Sequence, residues 1–213
     1  IAGMHAVKTA LAAGESTLNV AITAGKAISD MLTEMKAKTV QANQAGLDTA
    51  SKDALQQDFT SLRDQLTTIV QTAEFNGKNL ISSVATSLTV LSTVDGSTIS
   101  VGAQKLDVTT LGINASDISA GASAALVAID AAINTVTSSL ASLGSAAKRI
   151  EVQTDFTTQL VDILKEGVGN LVDADLAEES ANLQALQIKQ QLGVQALSIA
   201  NSGPQSILSL FGG

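Results

Sequence analysis

Residues 122–171 read ASAALVAIDAAINTVTSSLASLGSAAKRIEVQTDFTTQLVDILKEGVGNL, and apolar side chains recur through this stretch at every third or fourth position. One row, interrupted at Thr154, consists of Leu126, Ile133, Leu140, Ala147, Val161 and Val168. The other row, interrupted at Thr157, consists of Ile129, Val136, Leu143, Ile150, Leu164 and Leu171. Such rows fill positions a and d of a heptad repeat, which is typical of helices packed side by side. The spacing predicts one very long helix whose apolar stripe other segments must cover.

The composition of the 213-residue chain is aliphatic, with 45% hydrophobic residues but only 2% aromatic ones. Such an interior suits narrow helix–helix seams. The absence of cysteine excludes disulfides and thiolate metal sites. A net charge of -8 and a pI of about 4.5 argue against nucleic acid or an anionic membrane as a partner. No apolar run is expected to be long enough to span a bilayer.

Two further heptad helices precede the long one. The first is predicted over Ala2–Val40 and is followed by a turn at Gly46. The second is capped by Thr49 or Ser51 and stops at Asn76-Gly77, a good helix-terminating pair. The fold class predicted is therefore mainly α, a rod-like bundle of long antiparallel helices.

A small β region is predicted between the second helix and the long helix. The N-terminus of the long helix would be capped by Ser116 or Ser119. Asp95-Gly96, between two β-branched segments, is a strong signal for a two-residue hairpin loop. A loop of this length would place Val90 opposite Val101. The face that covers the helices would then consist of Val90, Val94, Ile99 and Val101.

The end of the chain is predicted to be a self-association element. Asp173 would open a separate helix and Pro204 would end it. Nothing in one copy obviously covers its apolar side chains. The candidate residues are Leu176, Leu183, Leu186, Gln190, Val194, Leu197, Ile207, Leu208, Leu210 and Phe211. The predicted organisation is 1–79 rod helices, 80–121 hairpin region, 122–171 long rod helix and 172–213 terminal assembly helix and tail.

Catalytic and metal chemistry have little support in the residues. His5 is the only histidine, so neither a histidine-based metal site nor a nucleophile–histidine pair has a second member. Asp173, Asp175, Glu178 and Glu179 could hold a calcium ion, but their spacing does not fit the EF-hand loop, and acidic residues at a helix start are sufficient to explain them. No enzyme activity and no cofactor are expected.

Several motifs near the C-terminus resemble the conserved end of bacterial flagellins. They are residues 169–184, GNLVDADLAEESANLQ, residues 187–201, QIKQQLGVQALSIAN, and the tail PQSILSLF at 204–211. Phe75-Asn76-Gly77 is similar to the motif that follows the second rod helix in that family. The whole pattern most resembles the short alphaproteobacterial type.

The resemblance implies a structural subunit of the flagellar filament, which polymerises for motility and lies outside the cell. It also implies export through the flagellar secretion apparatus. The implied partners are other copies of the chain, an export chaperone, and filament cap or junction proteins. The family's N-terminal segment, expected to pair with Asp173–Asn201, is absent from the sequence, as in a truncated chain. A polysaccharide-binding surface protein and a hook–filament junction protein remain as alternatives.

One stretch of the first helix departs from the family pattern. Many flagellins carry Gln-Arg-Val-Arg-Glu-Leu-Ala-Val-Gln there, where a Toll-like receptor docks, and the matching residues 33–41 read TEMKAKTVQ. Glu34 replaces an arginine and Lys38 replaces a leucine, whereas the final Gln41 is retained. Charge reversal and loss of an apolar contact at the centre of an interface weaken docking, so poor receptor activation is predicted.

Overall fold

The computed structural model describes residues 2–212, except for the side chains of 201–211. Three helices and two short hairpins follow one another along the chain. Their bounds are α1 Ala2–Ala42, α2 Thr49–Thr72, β1 Glu74–Phe75, β2 Lys78–Asn79, β3 Leu88–Leu91, β4 Thr98–Val101 and α3 Ile118–Phe211. The chain divides into two compact units, unit 1 up to Leu160 and unit 2 from Val161. The predicted class, mainly α with long helices and a small β region, is confirmed.

The heptad rows of α1 form the centre of the first unit's core. Its buried positions include Val7, Leu11, Leu18, Ile28 and Leu32, which follow the three- and four-residue spacing of the pattern. The other helices contribute their own rows to the same apolar cluster. These residues are Leu55, Phe59, Leu66 and Val70 of α2, and Ile129, Val136, Leu143 and Ile150 of α3. The periodicity therefore predicted most of this core. The first row of the long helix is only half-buried at Ile133, Leu140 and Ala147, because Ala125, Ala132 and Ala146 beside it face the core instead.

The larger hairpin, β3–β4, has a longer loop than predicted. Val90 pairs with Ile99 and Leu88 with Val101, so the predicted pairing of Val90 with Val101 is wrong. Loop residues 92–97 are held by hydrogen bonds that the backbone nitrogens of Ser92 and Thr93 donate to the carbonyl of Ser97, at 2.8 and 3.3 Å. Asp95-Gly96 lies inside this wider turn, with Gly96 at a φ of +90°.

The register change alters the face that packs on α1. Leu88, Val90, Ile99 and Val101 are buried, whereas Val94, which was expected on this face, is 58% exposed. Val90 fits against Gly14 so closely that a Cβ added there would lie 2.6 Å from its Cγ2 atom. The missing side chain of Gly14 therefore lets the hairpin approach the helix backbone.

The smaller hairpin, β1–β2, replaces the predicted end of α2. Helix α2 ends at Thr72, and Asn76-Gly77 forms a two-residue loop between the paired strands instead of a helix stop. Both loop residues have positive φ, +49° and +74°, as a tight hairpin turn requires.

Aspartates, not the predicted serines and threonine, cap α2 and α3. Oδ1 of Asp48 accepts a 2.7 Å hydrogen bond from the Ser51 nitrogen, and Oδ1 of Asp117 accepts one of 2.9 Å from the Ser119 nitrogen. The hydrogen bond from the Ser51 nitrogen lowers the pKa of Asp48, and hydrogen bonds from the hydroxyl and then the nitrogen of Ser119 lower the pKa of Asp117. Regular helical geometry in α3 resumes after Gly121, whose φ of -133° is non-helical. The regular part therefore begins at Ala122, where the heptad pattern starts.

Helix α3 continues through the positions where a break was predicted. It passes Asp173 and Pro204 and ends at Phe211, so a separate helix opening at Asp173 and ending at Pro204 is wrong. Gly167 and Gly169 cost about 1 kcal/mol each inside a helix and Pro204 about 3 kcal/mol, so these residues weaken the helix but do not end it.

One part of α3, within Ile118–Ala200, is long and apolar enough to cross a membrane by length and composition alone. This finding differs from the expectation that no apolar run would be long enough. The helix meets the criterion because its many alanines raise the mean hydropathy, although each adds little apolar surface. Core helices of soluble proteins meet the same criterion, and 28% of this window is buried within the protein.

Candidate self-assembly site

The terminal part of α3 presents its apolar side chains to solvent. The five predicted apolar residues before the tail are between 53% and 73% exposed, and Gln190 between them is also exposed. Those apolar residues are Leu176, Leu183, Leu186, Val194 and Leu197. Every side chain from Asp162 to Ala200 is exposed. Among the side chains that the structure describes, the apolar residues of this part of the helix are therefore left exposed rather than buried.

The predicted residues form one face of the helix, here called the first face. With 100° between successive residues, Leu176, Leu183, Leu186, Gln190, Val194 and Leu197 fall within an arc of about 80°. Such an arc is the width of a helix–helix contact surface. The remaining predicted residues, Ile207, Leu208, Leu210 and Phe211, have side chains outside the described part of the structure.

A second apolar face lies on the opposite side of the same helix, and the sequence analysis missed it. It consists of Ala181, Ala185, Ile188, Leu192 and Ile199. These residues follow their own spacing of four, three, four and seven, and Ile188 and Leu192 are 56% and 59% exposed. The heptad signal of this face is present in the sequence but weaker than that of the leucine row. A helix that is apolar on two opposite faces is suited to burial between neighbours.

Most charged residues lie on the flanks between the two faces, but Glu179 falls within the arc of the first face. Between Asp162 and Ala200 the helix carries six acidic and two basic residues, among them Glu178 and Lys189. Within the part of the chain that the structure describes, no group of three or more histidine, cysteine or acidic side chains is placed to hold a metal ion. Asp173, Asp175, Glu178 and Glu179 are not brought together as such a group.

The stretch that was compared with a receptor-docking surface lies in the second half of α1. Glu34 and Gln41 are exposed there, and Lys38 is partly buried. Lys38 Nζ lies 2.6 Å from Asp58 Oδ2 on α2, and this hydrogen bond raises the pKa of Lys38. Lys36 Nζ lies 2.7 Å from Asp130 Oδ1 on α3. Both lysines of the stretch are thus paired with acids of neighbouring helices in the same chain.

Comparison with known proteins shows to which family the chain belongs. The bacterial flagellin N-terminal helical region matches residues 1–86, and the bacterial flagellin C-terminal helical region matches residues 126–211. Flagellin FljM of Caulobacter vibrioides is 49% identical over 98% of this chain and 77% of its own length. The flagellin of Brucella melitensis is 37% identical over 98% of this chain and 78% of its own length. The chain belongs to the bacterial flagellin family.

The solved structure of Bacillus cereus flagellin has the same fold as this flagellin, with a TM-score of 0.62 over 68% of this chain and 86% of that one. Sequence identity between the two is 21%. All candidate assembly residues, from Leu176 to Phe211, fall inside the matched C-terminal helical region. This flagellin is a structural subunit of the extracellular flagellar filament, which serves motility. The polysaccharide-binding and hook–filament junction alternatives are not favoured by these matches.

Proposed function

We propose that this flagellin polymerises by burying both apolar faces of the terminal part of α3. The observation that carries the proposal is that every side chain from Asp162 to Ala200 is exposed in the single chain, although both faces are apolar. The first face packs on a partner segment of the same subunit, and the second face packs on neighbouring subunits. The same residues could not stay in water without a large penalty.

The size of this penalty follows from the side chains involved. Full burial of one leucine, isoleucine or valine is worth about 1.5–3 kcal/mol. The five large apolar residues of the first face would together contribute on the order of 10 kcal/mol, before the entropic cost of association is subtracted. That contribution is of the same order as the cost of association, so burial of the second face must supply the surplus that drives assembly.

The two opposite faces also explain why association leads to a filament. A two-fold dimer covers the same patch on both partners and then stops growing. A subunit that offers one surface to a different surface of the next copy forms a heterologous contact, which repeats along a helical lattice unless it closes into a ring.

The test is a pair of charge substitutions on the first face, Leu183→Asp and Leu197→Asp. Each places an unpaired charge in the assembled seam, so we expect both to abolish filament formation while unit 1 remains folded. The matched control is Gln184→Asp, which adds the same charge on a polar flank of the same helix. Electron microscopy of the polymerised full-length protein and circular dichroism of the monomer give the two readouts. Normal filaments from either leucine variant would contradict the assigned interface.

The same exposed helix supports a role before assembly. In this proposal an export chaperone holds the first face in a groove, the usual way in which an amphipathic helix is recognised. The flagellar secretion apparatus then exports the subunit, and cap and junction proteins contact it at the ends of the filament. The protein acts without catalysis, which agrees with a single histidine and no cysteine in the sequence.

A second proposal concerns immune recognition. Glu34 and Lys38 oppose receptor docking, and the structure adds a physical reason. Lys38 is already paired with Asp58, so a receptor would have to replace a charge-assisted hydrogen bond as well as accept a cation where an apolar residue is expected. A reporter-cell response as strong as that to a well-recognised flagellin would contradict the proposal.

A further inference from the structure

The β1–β2 turn combines a reactive dipeptide with an open position. Asn76-Gly77 is the only asparagine–glycine pair in the sequence. Both residues are exposed, and a Cβ built on Gly77 would meet nothing within 4 Å. Among the side chains that the structure describes, no hydrogen bond restrains the amide of Asn76. We propose that Asn76 is a site of spontaneous deamidation, with water as the only co-reactant.

The chemistry needs only groups that the turn already holds. The backbone nitrogen of Gly77 attacks Cγ of Asn76, a bond forms between them, and the bond from Cγ to Nδ2 breaks. The amide proton of Gly77 leaves with the nitrogen as ammonia, and a five-membered imide remains. Water then opens the imide at one of its two carbonyls. Opening at Cγ gives aspartate, and opening at the main-chain carbonyl gives isoaspartate, with no change of oxidation state.

Glycine at position 77 is what makes the attack accessible. A residue with a Cβ would crowd the approach of Cγ to the backbone nitrogen, whereas glycine leaves it open and rotates freely. The turn must open briefly for the attack to align. Only two residue pairs, Glu74 with Asn79 and Phe75 with Lys78, hold the strands together. Opening so short a ribbon costs little free energy compared with unfolding of the unit.

Other asparagines lack this combination. The amide of Asn79 donates to the Val70 carbonyl at 2.7 Å and accepts from the Ile81 and Ser82 nitrogens at 2.9 Å. Asn114 is exposed like Asn76, but Ala115 follows it. Asn114 therefore serves as an internal reference that is also exposed but has a methyl group on the next residue.

The consequence for the fold differs between the two products. Aspartate tolerates the left-handed backbone of position 76 and keeps the Asp-Gly form of the turn. Isoaspartate adds a carbon atom to the main chain, so the two-residue loop and the pairing of Glu74 with Asn79 cannot both persist. The Asn79 side chain, which links the last turn of α2 to residues 81 and 82, then loses its position. Ageing would therefore loosen the end of α2.

The experiment is a time course on the native full-length chain, and on filaments made from it, at mildly alkaline pH. Trypsin releases Asp64–Lys78 with Asn76 and Leu106–Lys148 with Asn114, and mass spectrometry with isoaspartyl-specific methyl transfer measures both. We expect conversion at Asn76 to be at least about ten-fold faster than at Asn114, because only Gly77 lacks a Cβ.

The control variant Asn76→Gly keeps a turn-compatible Gly-Gly pair and has no side-chain amide. Its Asp64–Lys78 fragment should gain no isoaspartate, and its thermal stability should not fall with ageing as that of the unmodified chain does. Equal rates at Asn76 and Asn114, or conversion at Asn76 only after the chain has been denatured, would overturn the proposal.

Discussion

The two units of this flagellin carry the same kind of heptad pattern but treat it in opposite ways. In the unit up to Leu160, the rows of α1, α2 and α3 meet and bury one another. In the unit from Val161, equally apolar rows remain in water from Asp162 to Ala200. Periodicity specifies that a face must be covered, whereas it does not specify whether the cover belongs to the same chain or to another copy.

The largest expected effect on stability comes from comparing the truncation of one apolar side chain in each unit. Phe59→Ala removes a fully buried ring from unit 1 and should lower the free energy of unfolding by about 3–5 kcal/mol. Leu183→Ala, in the exposed helix, should leave monomer stability nearly unchanged. Urea unfolding of the monomer, followed by circular dichroism, measures both. A large loss for Leu183→Ala would show that this face is already covered in the single chain.

The next effect concerns the closest approach within unit 1. Gly14→Ala places a Cβ 2.6 Å from Val90 Cγ2, and we expect a loss of about 1–3 kcal/mol from overpacking. In a Val90→Ala background the loss caused by Gly14→Ala should be smaller, because the clashing methyl groups are absent there.

The matched control is Gly144→Ala in α3, where an added Cβ meets nothing within 4 Å. There the higher helix propensity of alanine should stabilise the protein by up to about 1 kcal/mol. Double-mutant analysis of positions 14 and 90 gives the coupling. An absence of coupling would mean that the hairpin does not depend on this contact.

These contacts show where sequence reasoning ends. The rows through Leu18, Phe59 and Val136 could be predicted because helical geometry alone brings them to one face. The register of the hairpin could not be predicted, because it depends on hydrogen bonds between Ser92 and Ser97 within the loop. The second assembly face was visible in the sequence but weaker, because two of its five residues are alanines.

A smaller effect is expected at the N-terminus of α3. Asp117→Ala removes a capping carboxylate that accepts from the nitrogens of Ser119 and Ala120, at a cost of about 1 kcal/mol. The pKa of Asp117 lies below the ordinary value of 3.8, because the hydroxyl of Ser119 and then these two nitrogens donate hydrogen bonds to its carboxylate. Its contribution to stability is therefore complete above that ordinary value and is lost as the pH falls through the lower value of the folded state.

Thermal unfolding as a function of pH tests this assignment. The difference between the original chain and Asp117→Ala should be constant near neutral pH and should shrink only below the ordinary aspartate range. Asp117→Asn is the control, since asparagine caps helices without titrating. A difference that persists unchanged in strong acid would exclude the carboxylate as its source.

The smallest effect on stability, with a large effect on recognition, is expected on the surface of unit 1. Lys38→Leu breaks the exposed pair with Asp58, and such pairs contribute little to folding, so the melting temperature should hardly change. Combined with Glu34→Arg, it restores an arginine and an apolar residue at the positions where recognised flagellins have them. We therefore expect a stronger reporter-cell response from the double variant than from the original chain, and Lys36→Leu, which breaks the pair with Asp130, is the matched control. An unchanged response from the double variant would mean that other residues on the surface of unit 1 prevent docking. Unit 1 completes its core internally, so its surface can change without loss of the fold. The terminal helix has no such freedom, because its surface is its interface.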